Sequence, residues 1–217
     1  MKPLDSFLGR LADMWPMVLL LLCNAPLLLG TPSTALVFDW QKFIHGEWWR
    51  LLTYPIAHVS LYHWMLDGSA FAILWWMWEE SSRARRGLLL GCCSMGSLLG
   101  ALAWSDGIWT HGLCGLSGVA HGLMIVLALE QLALRSSGRK DRWPSVLVLA
   151  LVCGKSLVEA WTGNIMFSSL HPGELGVPIA ACHLGGVLGG AAGVWIFRTL
   201  PRLGCIHEVR ASQCVVQ

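Results

Sequence analysis

Charge is what this chain has least of. Asp, Glu, Lys and Arg make up only 13% of its 217 residues, against roughly a quarter in an ordinary soluble domain. That scarcity argues against a water-soluble globular protein. Other absences narrow the field further. No basic patch interleaves with stacking aromatics, so no nucleic-acid partner is expected. The eight cysteines form no paired CxxC framework, so neither a zinc ribbon nor a disulfide scaffold is readable. Most fall in apolar runs, where a thiol behaves as a small buried hydrophobe. A zinc intramembrane protease needs HExxH on a helix, and His207-Glu208 lacks the second histidine. An aspartyl protease needs two aspartates within the membrane, and Asp67 alone qualifies. No metal or cofactor is expected. No internal repeat or second domain is visible, and the expectation is a single domain over 1–217.

Long apolar runs are what the sequence has instead. The chain is 55% hydrophobic with a mean hydropathy of +0.57. Apolar windows fall at about 14–35, 59–78, 88–104, 115–134, 145–163 and 179–199. Each is near the ~20 residues that a helix needs to cross ~30 Å of hydrocarbon. Lipid cannot satisfy open backbone groups, so these windows predict helices and an all-α membrane protein of six spans. The first window also has the outline of a signal peptide, with Lys2 and Arg10 before it and Ser33-Thr34-Ala35 after it. Five further spans and the charge pattern favour a true span.

Lys and Arg set the orientation. Lys2, Arg10, Arg83, Arg85, Arg86, Arg135, Arg139, Lys140, Arg142, Arg198, Arg202 and Arg210 fall on the side of the N-terminus; Lys42 and Arg50 fall opposite. The positive-inside rule then predicts both termini in the cytoplasm. The loops at 36–58, 105–114 and 164–178 face outward, into the periplasm if the host is a bacterium. The first of these carries Trp40, Trp48 and Trp49 and suits a segment lying in the interface. The tail from about 200 is short and polar.

Seven of the eight histidines, namely His45, His58, His63, His111, His121, His171 and His183, map to the outer side. Ionisable groups in membrane segments are costly and usually functional, so a site at the outer face is expected. Ser117, in Gly115-Leu116-Ser117-Gly118, lies in the first turn of span four. His183 lies about one turn into span six, with Pro178 suited to that helix's first turn. Both spans run inward, so serine and histidine sit at similar depth. Gly115, Gly118 and Gly122 on span four, and Gly186 and Gly190 on span six, are spaced to let two helices approach closely. An Oγ to imidazole hydrogen bond is then geometrically reasonable, with Ser117 as nucleophile and His183 as general base and acid. First-turn N–H groups near Ser117 are free donors for an oxyanion. His63 and Asp67, four apart, share a face of span two. Lys155 and Glu159, four apart on span five, read as an internal ion pair, with contact to substrate or a gate as the sharper alternative.

Taken together, these motifs resemble the rhomboid family of intramembrane serine proteases. Gly115-Leu116-Ser117-Gly118 matches the GxSG nucleophile motif. His183 followed by Gly186 and Gly190 matches the sixth-helix pattern. His58, His63 and Asp67 fall where the family has HxxxxHxxxN, and Trp49-Arg50 resembles the WR signature of the first outer loop. The run Gly46–Thr53 and His121, at a position where many rhomboids have Tyr, are most similar to the rhombosortase branch. The resemblance implies a six-helix rhomboid-like bundle and a Ser117–His183 dyad with no carboxylate as third member. It implies an oxyanion held by the N–H of Ser117, with Leu116, and by the His58 side chain. His121 would pack on the catalytic histidine. The implied substrates are exported membrane proteins with a C-terminal Gly-Gly, an apolar helix and basic residues, docking beside spans two and five in the inner membrane. Asp67 stands where the family has Asn. A carboxylate there would repel an oxyanion unless protonated, or it would pair with His63 or His121 and take no part. The alternatives are an inactive rhomboid-like binding protein or chaperone and, in another class, a metal or haem protein using the outer histidines. The latter leaves the GxSG motif unexplained.

Overall fold

Every apolar window of the sequence folds as a helix in the computed structural model, which describes residues 13–135 and 142–199. Lys2, Arg10, Arg139, Lys140, Arg202, Arg210, His207 and the tail from 200 lie outside the described residues. Among the described residues there are nine α-helices and no strand: α1 Trp15–Asn24, α2 Trp40–Ile44, α3 Arg50–Thr53, α4 Leu61–Met77, α5 Arg83–Trp104, α6 Gly107–His111, α7 Ser117–Arg135, α8 Trp143–Thr162 and α9 Ala181–Thr199. Two of them, α5 and α8, are each long and apolar enough to cross a membrane by length and composition.

Three windows differ from their helices at the ends. The first holds only ten α-helical residues before the backbone tightens into a 3-10 turn, Ala25–Leu29. There Asn24 turns its side-chain amide to Leu20 O and Ile56 O, both at 2.8 Å, and Gly30 closes the turn in the left-handed region. The helix of the third window, α5, starts earlier than that window, at Arg83, capped by Ser82. Its basic first turn is tolerated because Arg85 pairs with Glu80 and Glu130, and Arg86 lies over the Trp75 ring. The sixth starts at Ala181, so Pro178 precedes the helix rather than occupying its first turn.

α9 is the central helix, packed most extensively on α5, then α7, then α8. The expected seam between α7 and α9 is present. A Cβ on Gly190 or Gly186 would run into the backbone carbonyl of Gly122 or Gly118. A second seam was not read from the sequence: Gly96 and Gly100 of α5 meet Gly185 and Gly189 on the other flank of α9. Small residues are what permit this contact in lipid, where no hydrophobic force drives apolar helices together. Leu22, Ile73, Leu99, Leu151 and Trp195 point outward and exposed, as lipid-facing residues do.

The loop at 36–58, expected on the outer side, is ordered. Buried Arg50 donates to Thr34 O at 2.8 Å and Val37 O at 2.5 Å and pairs with Glu47. Trp49 Nε1 donates to Ala35 O at 3.3 Å. A single bridge, Phe38 to Leu113, ties this loop to the segment that leads into α7.

Candidate active site

Gly115 sets the entry to α7. Its φ of 97° lies in the left-handed region, and a Cβ there would stand 2.7 Å from His63 Nε2 and 2.8 Å from Asp67 Oδ2. Only glycine fits both the turn and the contact. The Gly115 N–H donates to Tyr54 O at 3.1 Å, pinning the turn to the outer loop. Ser117 is then the first residue of α7, as its motif position implied.

His183 lies in the first turn of α9, across the Gly118–Gly186 contact. Both Ser117 and His183 line one cavity of about 660 Å³, with His63, Asp67, His121 and Lys155. The expected bond between Ser117 Oγ and the imidazole is not formed among the described residues. Ser117 Oγ instead faces Cys182 Sγ at 3.9 Å. Rotation about one side-chain bond moves Oγ between staggered positions, and catalytic contacts are often loose before substrate binds.

The surroundings of His183 depart from the expected dyad. Its Nδ1 lies 2.7 Å from Oε2 of Glu159, a carboxylate with no exposed surface. Glu159 also accepts from Lys155 Nζ at 2.8 Å and, through Oε1, from the Met166 N–H at 2.8 Å. The ion pair read from the sequence is therefore present, and its acid is turned onto the histidine. Sequence reasoning did not connect the two. The usable signal was position along the helices: Glu159 is in the last turn of α8 and His183 in the first turn of α9, the helix that follows, so both stand at one end of the bundle. His121 stacks on His183 with centroids 4.1 Å apart and planes 13° apart, as expected. Its Nδ1 meets Ser117 O at 2.7 Å and its Nε2 meets Lys155 Nζ at 3.0 Å.

The oxyanion donors differ from the expectation that they are free. The N–H groups of Leu116 and Ser117 donate to Asp67 Oδ2 at 2.8 and 3.0 Å. Asp67 pairs with His63 at 3.3 Å and stands 3.6 Å from His58 Nε2; it does not pair with His121. His58 is held from behind by Asn24, whose Oδ1 lies 3.1 Å from Nδ1. The Asn24 amide donors are spent on Leu20 and Ile56, so Oδ1 accepts and His58 Nδ1 carries the hydrogen. Burial pushes the His58 pKa below its ordinary value. A neutral His58 then presents a bare Nε2, which has no hydrogen-bond partner, and that nitrogen cannot donate to an oxyanion until protonated. Asn24 was not singled out from the sequence.

Of the remaining histidines, His111 and His171 line the cavity, and His171 Nδ1 meets Tyr62 OH at 3.1 Å. His45 bonds Gln41 O on the outer loop, away from the cavity. Among the described residues, two groups have the donor types of a metal site, His58–His63–Asp67 and His121–Glu159–His183. In the second, the Lys155 ammonium already bonds His121 and Glu159, where it would oppose a cation. Trp49, Arg50, Gly118, Gly186 and Gly190 act on the site through packing and loop order, not by reaching the cavity.

A serine at a glycine turn, a buried histidine facing the same cavity and amide donors beside the serine are the parts of an acyl-transfer site. A family model described as Rhomboid domain matches residues 45–200. No curated protein and no solved structure matches the chain.

Proposed function

The chain belongs to the rhomboid family of intramembrane serine proteases and is an integral membrane helical bundle; from that premise we propose that it is an intramembrane serine endopeptidase with Ser117 as nucleophile and His183 as general base. One observation carries this reading. Ser117 and His183 lie in the first turns of adjacent helices whose backbones touch at Gly118 and Gly186, and both face one cavity. In the reaction Ser117 Oγ attacks the scissile carbonyl while His183 Nε2 takes its proton. The same nitrogen then protonates the leaving amine, and water repeats the sequence on the acyl-enzyme. The N–H groups of Leu116 and Ser117 hold the oxyanion once substrate displaces Asp67 Oδ2 from them.

The chain crosses the membrane six times with both termini cytoplasmic. In a bacterium the site opens to the periplasmic face of the inner membrane. Substrates are exported proteins anchored by a transmembrane segment, with a C-terminal Gly-Gly, an apolar helix and basic residues, as in the rhombosortase branch. A substrate helix enters between α4 and α8. In support, α4 packs more extensively on α7 and α1 than on α8, and residues 165–179 border the cavity there.

A fluorophosphonate probe on the purified detergent-solubilised protein tests the chemistry. Labelling is expected in the wild type and lost in Ser117→Ala and His183→Ala. A folded wild-type chain that never labels, or labelling that survives Ser117→Ala, would overturn the protease reading.

A further inference from the structure

Resting on the reading of Ser117 as nucleophile, we propose that Glu159 is a positioning residue for His183, so that the site works as a serine–histidine–glutamate triad rather than a dyad. The hydrogen-bond directions around Glu159 carry the argument. Oε1 accepts from the Met166 N–H, and Oε2 accepts from the Lys155 ammonium. A carboxylate surrounded by donors accepts from its third neighbour too. The hydrogen between it and His183 therefore sits on Nδ1, and the lone pair of the ring is left on Nε2, the nitrogen that must take the proton of Ser117.

The other ring is fixed by the same logic. Ser117 O can only accept, so His121 Nδ1 donates to it, and His121 Nε2 accepts from Lys155. His121 is thus a neutral imidazole lying flat against His183. Its π-face meets the base on one side, and Glu159 holds the edge of the base on another. The bonds form a continuous chain from the Ser117 carbonyl through His121, Lys155 and Glu159 to His183. Nucleophile and base are registered to each other through side chains as well as through the glycine seam.

The proton balance needs no further reactant. Ser117 Oγ bonds the carbonyl carbon, its proton passes to His183 Nε2, and the carbonyl π pair moves to oxygen. Collapse of the intermediate breaks the C–N bond, and the amine leaves with the proton from Nε2. Water then attacks the ester, gives its proton to Nε2, and Ser117 recovers it on leaving. Glu159 takes no proton at any step. It keeps the tautomer and stabilises the imidazolium while that charge exists.

The test compares Glu159→Gln and Glu159→Asp with the wild type in second-order fluorophosphonate labelling of Ser117. Thermal midpoints in detergent measure the folded state. Glu159→Gln is expected to fold and to label on the order of 100-fold more slowly, and Glu159→Asp to regain part of the rate. A Glu159→Gln rate equal to wild type, or one that falls only in step with the folded fraction, overturns the proposal while Ser117 stands as nucleophile. Labelling that survives Ser117→Ala fails the underlying reading instead, and this proposal with it. Should Glu159→Gln not fold, the wild-type chain labelled with ¹⁵N-histidine decides. The His183 resonance, assigned by its loss in His183→Gln, is expected to report hydrogen on Nδ1. Hydrogen on Nε2 overturns the proposal.

Discussion

Asp67 uses one oxygen, Oδ2, to hold the N–H groups of Leu116 and Ser117. An oxyanion needs those same donors, so the carboxylate is a resident competitor for them. A hydrogen bond to a charged acceptor is worth about 1 kcal/mol more than one to a neutral acceptor, and an ionised carboxylate also repels developing negative charge. Asp67→Asn keeps the size and shape of the side chain and relieves both effects. It is expected to raise the rate of Ser117 labelling by roughly 5- to 30-fold, since about 1 kcal/mol of resting stabilisation is removed for each of the two donors that is freed. A rate that falls in a folded Asp67→Asn variant would assign the carboxylate a supporting role instead.

Among the helices, α9 depends on contacts that leave no room for a side chain. A Cβ on Gly186 would overlap the carbonyl of Gly118, and backbone cannot move aside as a flexible side chain does. Gly186→Ala should lower the stability of the bundle by about 1–3 kcal/mol, the range for overpacking a tight interior. Because the same contact sets the approach of His183 to Ser117, labelling should fall as well. Gly154 on α8 offers the contrast, with nothing within 4 Å of an added Cβ. Gly154→Ala should hold or raise stability by about 0.5–1 kcal/mol, since glycine is the poorer helix former. Thermal unfolding in detergent measures both. Equal effects at the two positions would sink the close-contact account of the seam.

At the scale of the whole bundle, the described residues place the polar groups of the candidate site together at one end. His58, His63, Asp67, Ser117, His121, Glu159 and His183 gather at one end of the bundle, and the Arg85–Glu80–Glu130 cluster lies at the opposite end. The proposed orientation is open to direct measurement in intact cells. Ser169→Cys, on the exposed 3-10 turn Ser168–Leu170, should react with a membrane-impermeant maleimide. Ser81→Cys, exposed between α4 and α5, should react only after lysis, both scored against the parent chain. The reverse pattern would invert the topology.

Much of this was legible from residue order alone, because it depends on periodicity. Apolar runs near bilayer length predict helices without reference to their neighbours. Small residues four apart mark a contact face, which is why Gly118, Gly122, Gly186 and Gly190 pointed to the pairing of α7 with α9. Equal distance from the outer helix ends put Ser117 and His183 at one depth. What remained hidden depends on side-chain direction across space. Gly96 and Gly100 carry the same spacing, but spacing does not name a partner, and only the packed bundle puts them on Gly185 and Gly189. Asn24, 34 positions before His58 in the chain, sets that ring's hydrogen. Glu159 read as half of an ion pair with Lys155 on its own helix. Which way its second lone pair points was decided by how α8 leans on α9, and there it meets His183. Sequence by itself determined the helices, the glycine turn before Ser117 and the placing of Ser117 and His183 in first helical turns, since each is a local or periodic property. Tertiary structure alone decided which donor faces which acceptor within it, because a hydrogen bond is directional and short, and no spacing along the chain encodes a direction between two helices.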